Sequence, residues 1–187
     1  KKLYLPQPDE KTGIIPQFDG YFDLKEIDLS VYKNASVVGT IFHDYSGEDV
    51  QGMQAGKQAD IVELLYQMED ITTPDNKAKN YVYYEARTLH DSSLSKAIHS
   101  ITACDLGMEK EAYEMFMSAA LTDLGQEMKS SDAGIHSANM GGVWQDVVMG
   151  FGGIRIRDGH LRIAPNCPKQ WEKFTYPLYW KGNELHI

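Results

Sequence analysis

At 187 residues, 42% of them hydrophobic and 24% charged, the chain has the make-up of an ordinary globular domain able to bury a sizeable core. Its 27 acidic and 18 basic residues give a formal net charge of -9, which argues against general affinity for nucleic acid or an anionic membrane; an anionic ligand would need a local site. No apolar run is long enough to span a bilayer and Lys1-Lys2-Leu3-Tyr4-Leu5-Pro6 lacks a signal-peptide core, so a cytoplasmic location is expected, with Cys104 and Cys167 as reduced thiols.

Residues 1–34 hold Pro6, Pro8, Gly13, Pro16 and Gly20 among the aromatics Phe18, Tyr21 and Phe22, without a helical period. This predicts a long, ordered, aromatic-anchored loop. From Glu48 to Met68 the pattern turns helical, with Ile61, Leu64, Leu65 and Met68 as the stripe to be buried. Lys57 and Gln58 stand near the start of that stripe and, by residue type, read as solvent-facing helix positions. His43, Asp44, Glu48 and Asp49 cluster nearby, but their spacing matches no standard zinc or calcium site. Thr73-Pro74-Asp75 predicts a helix start, with a capping hydroxyl, a first-turn proline and an acid near the positive dipole end. The tyrosines that follow, Tyr81, Tyr83 and Tyr84, read as core and rim.

The stretch Thr88-Leu89-His90-Asp91-Ser92-Ser93-Leu94-Ser95 packs an imidazole and a cluster of hydroxyls into the turn before a helix-periodic run through Leu94, Ala97, Ile98, Ile101 and Cys104. Gly107 stands where that helix should stop. With Ser92 or Ser93 at the N-terminus, free N–H groups, the dipole and the hydroxyls would make a phosphate-sized site; an ordinary N-cap is the alternative. Met108 to Leu124 reads as an amphipathic helix burying Ala112, Phe116, Ala120 and Leu124, closed by Gly125. Residues 126–134 are polar and turn-rich. Val143, Val147 and Phe151, with Trp144 and Val148 alongside, predict a further helix beginning near Gly141-Gly142, with Trp144 and Trp171 in the core. Gly150, Gly152 and Gly153 follow a helix pattern and precede a strand, the reverse of what a nucleotide-binding fingerprint requires. Beyond Gly153, Ile154, Ile156, Leu161 and Ile163 alternate with arginines around Asp158-Gly159, a hairpin with one buried face. Further strands are predicted over Phe174 to Tyr179 and Glu184 to Ile187, around Lys181-Gly182-Asn183. The expected fold class is mainly α, with a few β-strands at the end.

Three separated motifs carry a more specific signal. Lys57-Gln58-Ala59-Asp60, the turn from His90 to Ser95, and Gly134-Ile135-His136-Ser137-Ala138-Asn139-Met140-Gly141-Gly142-Val143-Trp144 together resemble glycoside hydrolase family 65, the inverting disaccharide phosphorylases typified by maltose phosphorylase. The segment with Pro165, Pro168, Gln170 and Trp171 resembles the lead into that family's small C-terminal β-domain. The resemblance implies that residues 1–153 are the C-terminal portion of an α/α-toroid catalytic domain and that 154–187 begin the β-domain. It implies that Lys57 and Gln58 bind the glucosyl unit, and that His90, Ser92, Ser93, Gly141 and Gly142 cradle phosphate through hydroxyls and backbone N–H groups. His136 could line the same pocket or be a structural histidine.

The reaction implied is phosphorolysis of an α-linked, maltose-like glucose disaccharide to β-glucose 1-phosphate and a sugar. A phosphorylase can omit the second carboxylate of an inverting hydrolase, because phosphate arrives already anionic. Inorganic phosphate is a co-substrate and no cofactor or metal is expected; the full-length enzyme is expected to be a homodimer. The family's general-acid glutamate lies upstream of these motifs, and the strand pattern runs to Ile187, so this chain is expected to be part of a longer enzyme without its own catalytic residue. Two alternatives stay open: a hydrolase of a similar disaccharide, trehalase-like, and a non-catalytic helical carbohydrate-binding or interaction module.

Overall fold

The structure is a computed structural model and describes residues 3–33, 37–125 and 134–187. The turn-rich reading of 126–134 falls almost wholly outside those residues. A mainly irregular segment leads through a short helix, α1 (Ser30–Lys33), to α2 (Gly47–Gln51) and α3 (Asp60–Gln67). Then come α4 (Pro74–Glu85), α5 (Ser95–Asp105), α6 (Glu109–Ala120) and α7 (Ser137–Gln145), the last running into a π-helical stretch, Asp146–Phe151. Two antiparallel hairpins end the chain: β1 (Ile154–Arg157) with β2 (His160–Ile163), and β3 (Pro177–Trp180) with β4 (Asn183–His186).

The first segment is ordered because α4 satisfies its backbone. Asn80 accepts from Ile15 N–H at 2.8 Å and donates to Gly13 O at 2.9 Å, while the Tyr84 hydroxyl donates to Ile15 O. Ile14, Ile15 and Tyr21 thereby enter the core beside Tyr81 and Tyr84.

The predicted start of α4 is present: Thr73 Oγ1 caps Asn76 N–H at 3.2 Å and Pro74 fills the first position. Its partner α5 is the centre of the body, with nine of its eleven residues buried and α3, α4, α6 and α7 around it. Gly107, at φ +71, ends α5 as predicted. Its N–H reaches Cys104 O and Met108 N–H reaches Ala103 O, so the last carbonyls are paired as the chain reverses into α6.

Helix boundaries differ from the sequence reading at three places. Residues 52–59 are not helical: Gly52 O and Gln54 N–H pair with Lys25, and both backbone groups of Gly56 pair with Arg87 and Leu89, so two neighbouring segments satisfy this backbone instead of a helix. The buried face of α3 is consequently Ile61, Val62, Leu65 and Tyr66, while Met68 is exposed. α5 begins at Ser95, leaving Ser92 and Ser93 in the preceding turn and Leu94 exposed. α7 begins at Ser137, so the glycine pair lies inside the helix instead of opening it. Leu124 and Trp144 are solvent-exposed where burial was expected, whereas Trp171 packs edge-on against Phe116 and Phe151.

Both hairpins turn through two residues with positive φ, Asp158-Gly159 and Lys181-Gly182, the geometry that matches the twist of paired strands. The first hairpin does not bury its isoleucine face. Ile154 and Arg155 are buried and Ile156 is 53% exposed. The reason is electrostatic: Arg155 lies 2.9 Å from Glu69 and 2.8 Å from Asp105 with Tyr66 under its guanidinium, and Arg157 and Arg162 also reach Glu69. Gly153 precedes this hairpin at φ +63, where an added Cβ would lie 1.8 Å from Ala164 O. Only glycine lets the two segments approach so closely.

Candidate functional site

The site is organised by the connection between α4 and α5. Thr88 donates its hydroxyl to Tyr84 O at 2.7 Å, ending α4, and pairs in parallel with Gly56. In a parallel pair both segments run the same way. Lys57 and Gln58 therefore leave the bridge beside the segment that becomes His90 to Ser93. Lys57 and Gln58 are both exposed, on a loop rather than a helix. Burial raises the Asp91 carboxyl above its usual range, while the Gly39 N–H, 3.1 Å away, and the Lys57 charge oppose the shift.

His90 has φ +57, a left-handed conformation that a residue with a Cβ adopts only when its surroundings hold it there. Both of its ring nitrogens are engaged. Nδ1 lies 2.9 Å from Ser95 Oγ and Nε2 lies 2.9 Å from Glu85 Oε2. The ring is buried, and burial lowers its pKa to about 4 against the opposing pull of Glu85. His90 is thus neutral at pH 7. Burial would raise Glu85, yet hydrogen bonds from His90 and the His99 ring beside it hold the carboxylate well below its usual range. His99 Nδ1 lies 2.6 Å from Glu85 Oε2, off the line of a good hydrogen bond, and its ring stacks edge-on against His90.

Ser92 and Ser93 are half-buried in the turn that His90 anchors. Ser92 Oγ accepts from Leu94 N–H at 3.3 Å, a cap of its own short turn, and Ser92 O accepts from the Ser95 N–H at 3.4 Å, with Ser95 Oγ 3.1 Å away. The second helix start reaches the same end of the molecule. Gly142 lies against Ala97, Asp146 against Ser100 and Gly150 against Ile101, so α5 and α7 run parallel and their N-termini point one way. The Ala138 and Asn139 N–H groups find no backbone carbonyl among the described residues, as expected in the first turn of a helix. His136 stands at the N-cap position without its side chain capping the helix; its N–H lies 2.8 Å and its Nδ1 2.7 Å from the Asp123 carboxylate, so Nε2 is the nitrogen left for a ligand.

Gly141 and Gly142 lie beyond the first turn of α7, where a backbone N–H bonds to the carbonyl four residues back, so the first-turn amides of this helix without a backbone partner among the described residues are those of Ala138 and Asn139. An added Cβ on Gly142 would meet Ala97 Cβ at 3.1 Å, and one on Gly141 would meet open space. Glu85, His99 and Asp123 were not singled out from sequence, and Ser95 was read only as one hydroxyl of the turn. Their only local signal is the four-residue spacing of Ser95 and His99 on one helix. Ligand atoms of Glu85, His90 and His99 lie within 4.8 Å of one another, close enough to share a metal ion, but Lys33 Nζ already stands 2.6 Å from Glu85 Oε1 and balances its charge.

Residues 1–145 match the model of the glycosyl hydrolase family 65 central catalytic domain, and residues 154–187 match that family's C-terminal domain. A kojibiose phosphorylase from Halothermothrix orenii is 46% identical over all 187 residues, and one from Escherichia coli is 41% identical over the whole chain. An α,α-trehalose phosphorylase from Thermoanaerobacter brockii is 35% identical over 99% of it. The alignments cover 24%, 25% and 24% of those proteins, so the chain spans about a quarter of their length. A solved structure described as a putative kojibiose phosphorylase from human microbiome superposes with a TM-score of 0.86 at 31% identity, over 97% of this chain and 27% of that one.

Proposed function

Because the chain belongs to glycosyl hydrolase family 65, with the helical body of that family's α/α toroid, we propose that it is part of an enzyme that phosphorolyses an α-linked glucose disaccharide with inversion. The observation that carries this reading is the convergence of three elements. The Gly56–Thr88 bridge sets Lys57 and Gln58 beside the His90–Ser93 turn, and the parallel packing of α5 and α7 brings the start of α7 to the same end. A Lys-Gln pair supplies donors and an acceptor suited to sugar hydroxyls. The hydroxyls of Ser92 and Ser93, the amides of Ala138 and Asn139, and His136 Nε2 supply donors for an anion at two helix N-termini.

In this reading phosphate, held by those donors, attacks C1 of the glucosyl unit from the face opposite the leaving sugar. The C1–O bond to that sugar breaks, its oxygen takes a proton from a general acid supplied by the rest of the enzyme, and β-glucose 1-phosphate leaves. No carboxylate is needed to activate the nucleophile. Among possible linkages kojibiose is the first to test, since the relatives named kojibiose phosphorylase include those at 46% and 41% identity; maltose, trehalose and nigerose complete the panel. The test is to incubate the parent polypeptide with each disaccharide, with and without inorganic phosphate, and to measure glucose 1-phosphate and free glucose. Phosphate-dependent glucose 1-phosphate supports the proposal. Phosphate-independent glucose release would make the enzyme a hydrolase, and binding without turnover a carbohydrate-binding module.

A further inference from the structure

Glu85 is the last residue of α4, at the negative end of the helix dipole, where a buried acid is unfavourable. Its side chain is only 17% exposed and is compensated by Lys33 Nζ at 2.6 Å and His90 Nε2 at 2.9 Å, while His99 Nδ1, 2.6 Å away, lies outside hydrogen-bond geometry. Lys33 also donates to the Glu85 carbonyl, one of the last in the helix. From Glu85 polar contacts lead outward through the His90 ring, whose Nε2–H donates to the carboxylate at 2.9 Å, to Ser95 Oγ, which gives its single proton to His90 Nδ1 at 2.9 Å; the Ser95 backbone N–H in turn reaches Ser92 O at 3.4 Å. The residue at the middle of this chain is the one with left-handed backbone, and the residue at its far end is the first serine of the turn. A buried group paired on several sides fixes a neighbour's orientation far better than an exposed one does.

Resting on the phosphate-site reading above, we propose that Glu85 is a positioning residue for phosphate: acting through His90 and Ser95, it holds the Asp91–Ser93 turn in the conformation that presents the two serine hydroxyls. His90 then contributes as the link in this chain rather than as a phosphate ligand, since neither ring nitrogen is left over. Lys33 ties the anchor to α1, and the His99 ring closes its inner side. The other bonds of the turn, from Gly39 N–H to Asp91 and from Leu94 and Ser95 N–H to Ser92, lie on its far side from His90, so the left-handed residue itself is held by this chain.

The experiment uses the full-length parent enzyme with Glu85→Gln, Ser95→Ala and the double variant Ser92→Ala/Ser93→Ala. Inorganic phosphate binding is measured by calorimetry, and the KM for the cleaved disaccharide is measured at saturating phosphate. Glu85→Gln is expected to weaken phosphate by roughly tenfold to a hundredfold, the cost of a positioned group displaced by up to an ångström, while the disaccharide KM stays at the wild-type value. Ser95→Ala, which removes one hydroxyl at the buried first residue of α5 and leaves the Glu85 charge in place, should shift phosphate in the same direction by less, and it carries the test if Glu85→Gln fails to fold. Wild-type phosphate affinity in Glu85→Gln and Ser95→Ala, with weakened affinity in the double serine variant, overturns the positioning role and leaves the phosphate site standing. Wild-type affinity in the double serine variant overturns both. Equal losses for phosphate and disaccharide in Glu85→Gln would mark it as a general structural residue and overturn the proposal.

Discussion

A methyl group added to Gly142 would lie 3.1 Å from the Cβ of Ala97, so α7 crosses α5 with almost no side chain between them. This contact sets how close the start of α7 stands to the serine turn. Gly142→Val should push the helices apart, lowering stability by about 1–3 kcal/mol, the usual cost of overpacking, and weakening phosphate more than sugar. Denaturant unfolding and the two KM values of the parent enzyme check this. A variant as stable as wild type with unchanged phosphate KM would show that the crossing has slack.

Lys57 and the serine pair should separate kinetically. Lys57→Ala is expected to raise the disaccharide KM and leave the phosphate KM alone, while Ser92→Ala/Ser93→Ala does the reverse. Losing a hydrogen bond to a charged group costs about 1.5–3 kcal/mol, so the first effect should exceed tenfold. Equal changes in both constants for both variants would remove these assignments.

Arg155 is 4% exposed and bridges Glu69 to Asp105, tying the first hairpin to α5. Arg155→Ala takes one partner from each of two partly buried carboxylates, Asp105, which keeps Lys77 at 2.7 Å, and Glu69, which keeps Arg157 and Arg162, so the loss should fall below the roughly 3–5 kcal/mol of a buried charge left unpaired while still exceeding about 1 kcal/mol. Arg162, half exposed on the same Glu69, should cost less than about 1 kcal/mol when replaced by alanine. Thermal unfolding of both variants distinguishes them, and equal losses would refute the distinction.

Asp146 gives the protein a pH dependence with a definite sign. The carboxyl is fully buried, with Oδ1 2.8 Å from Ser100 Oγ and Oδ2 unpartnered, and burial raises its pKa well above the usual range. Its folded form therefore holds a proton that the unfolded chain releases near pH 4, so its contribution is complete below that pH and is lost as pH rises toward the folded value. Glu85 acts oppositely: its pKa is depressed, so its contribution is present above the usual glutamate range and is lost as pH falls. Asp146→Asn should raise the melting temperature at pH 8 and leave it almost unchanged at pH 4. A melting temperature lowered equally at both pH values would show that the carboxyl is not protonated in the folded state.

Some of this protein is written locally. Thr73-Pro74 starts a helix, Gly107 ends one, and Asp158-Gly159 and Lys181-Gly182 turn hairpins, because each depends on φ preferences or a cap within a few residues. The three motifs could also be recognised along the chain, since their residue types and order carry the signal. What sequence did not determine was how distant backbone groups and charges would be satisfied. Periodicity continues a helix through residues 52–59, but Lys25, Arg87 and Leu89 take those backbone bonds. Alternation puts the isoleucines of the first hairpin inside, but Glu69 and Asp105 draw Arg155 inside instead. The glycine pair suggests a helix start, whereas tertiary packing uses Gly142 to let Ala97 approach and leaves the first-turn amides, those of Ala138 and Asn139, three to four residues before it. Glu85 was invisible for the same reason: it ends a helix where an acid is locally unfavourable, and only Lys33, His90 and His99, brought from three other segments, make its burial possible.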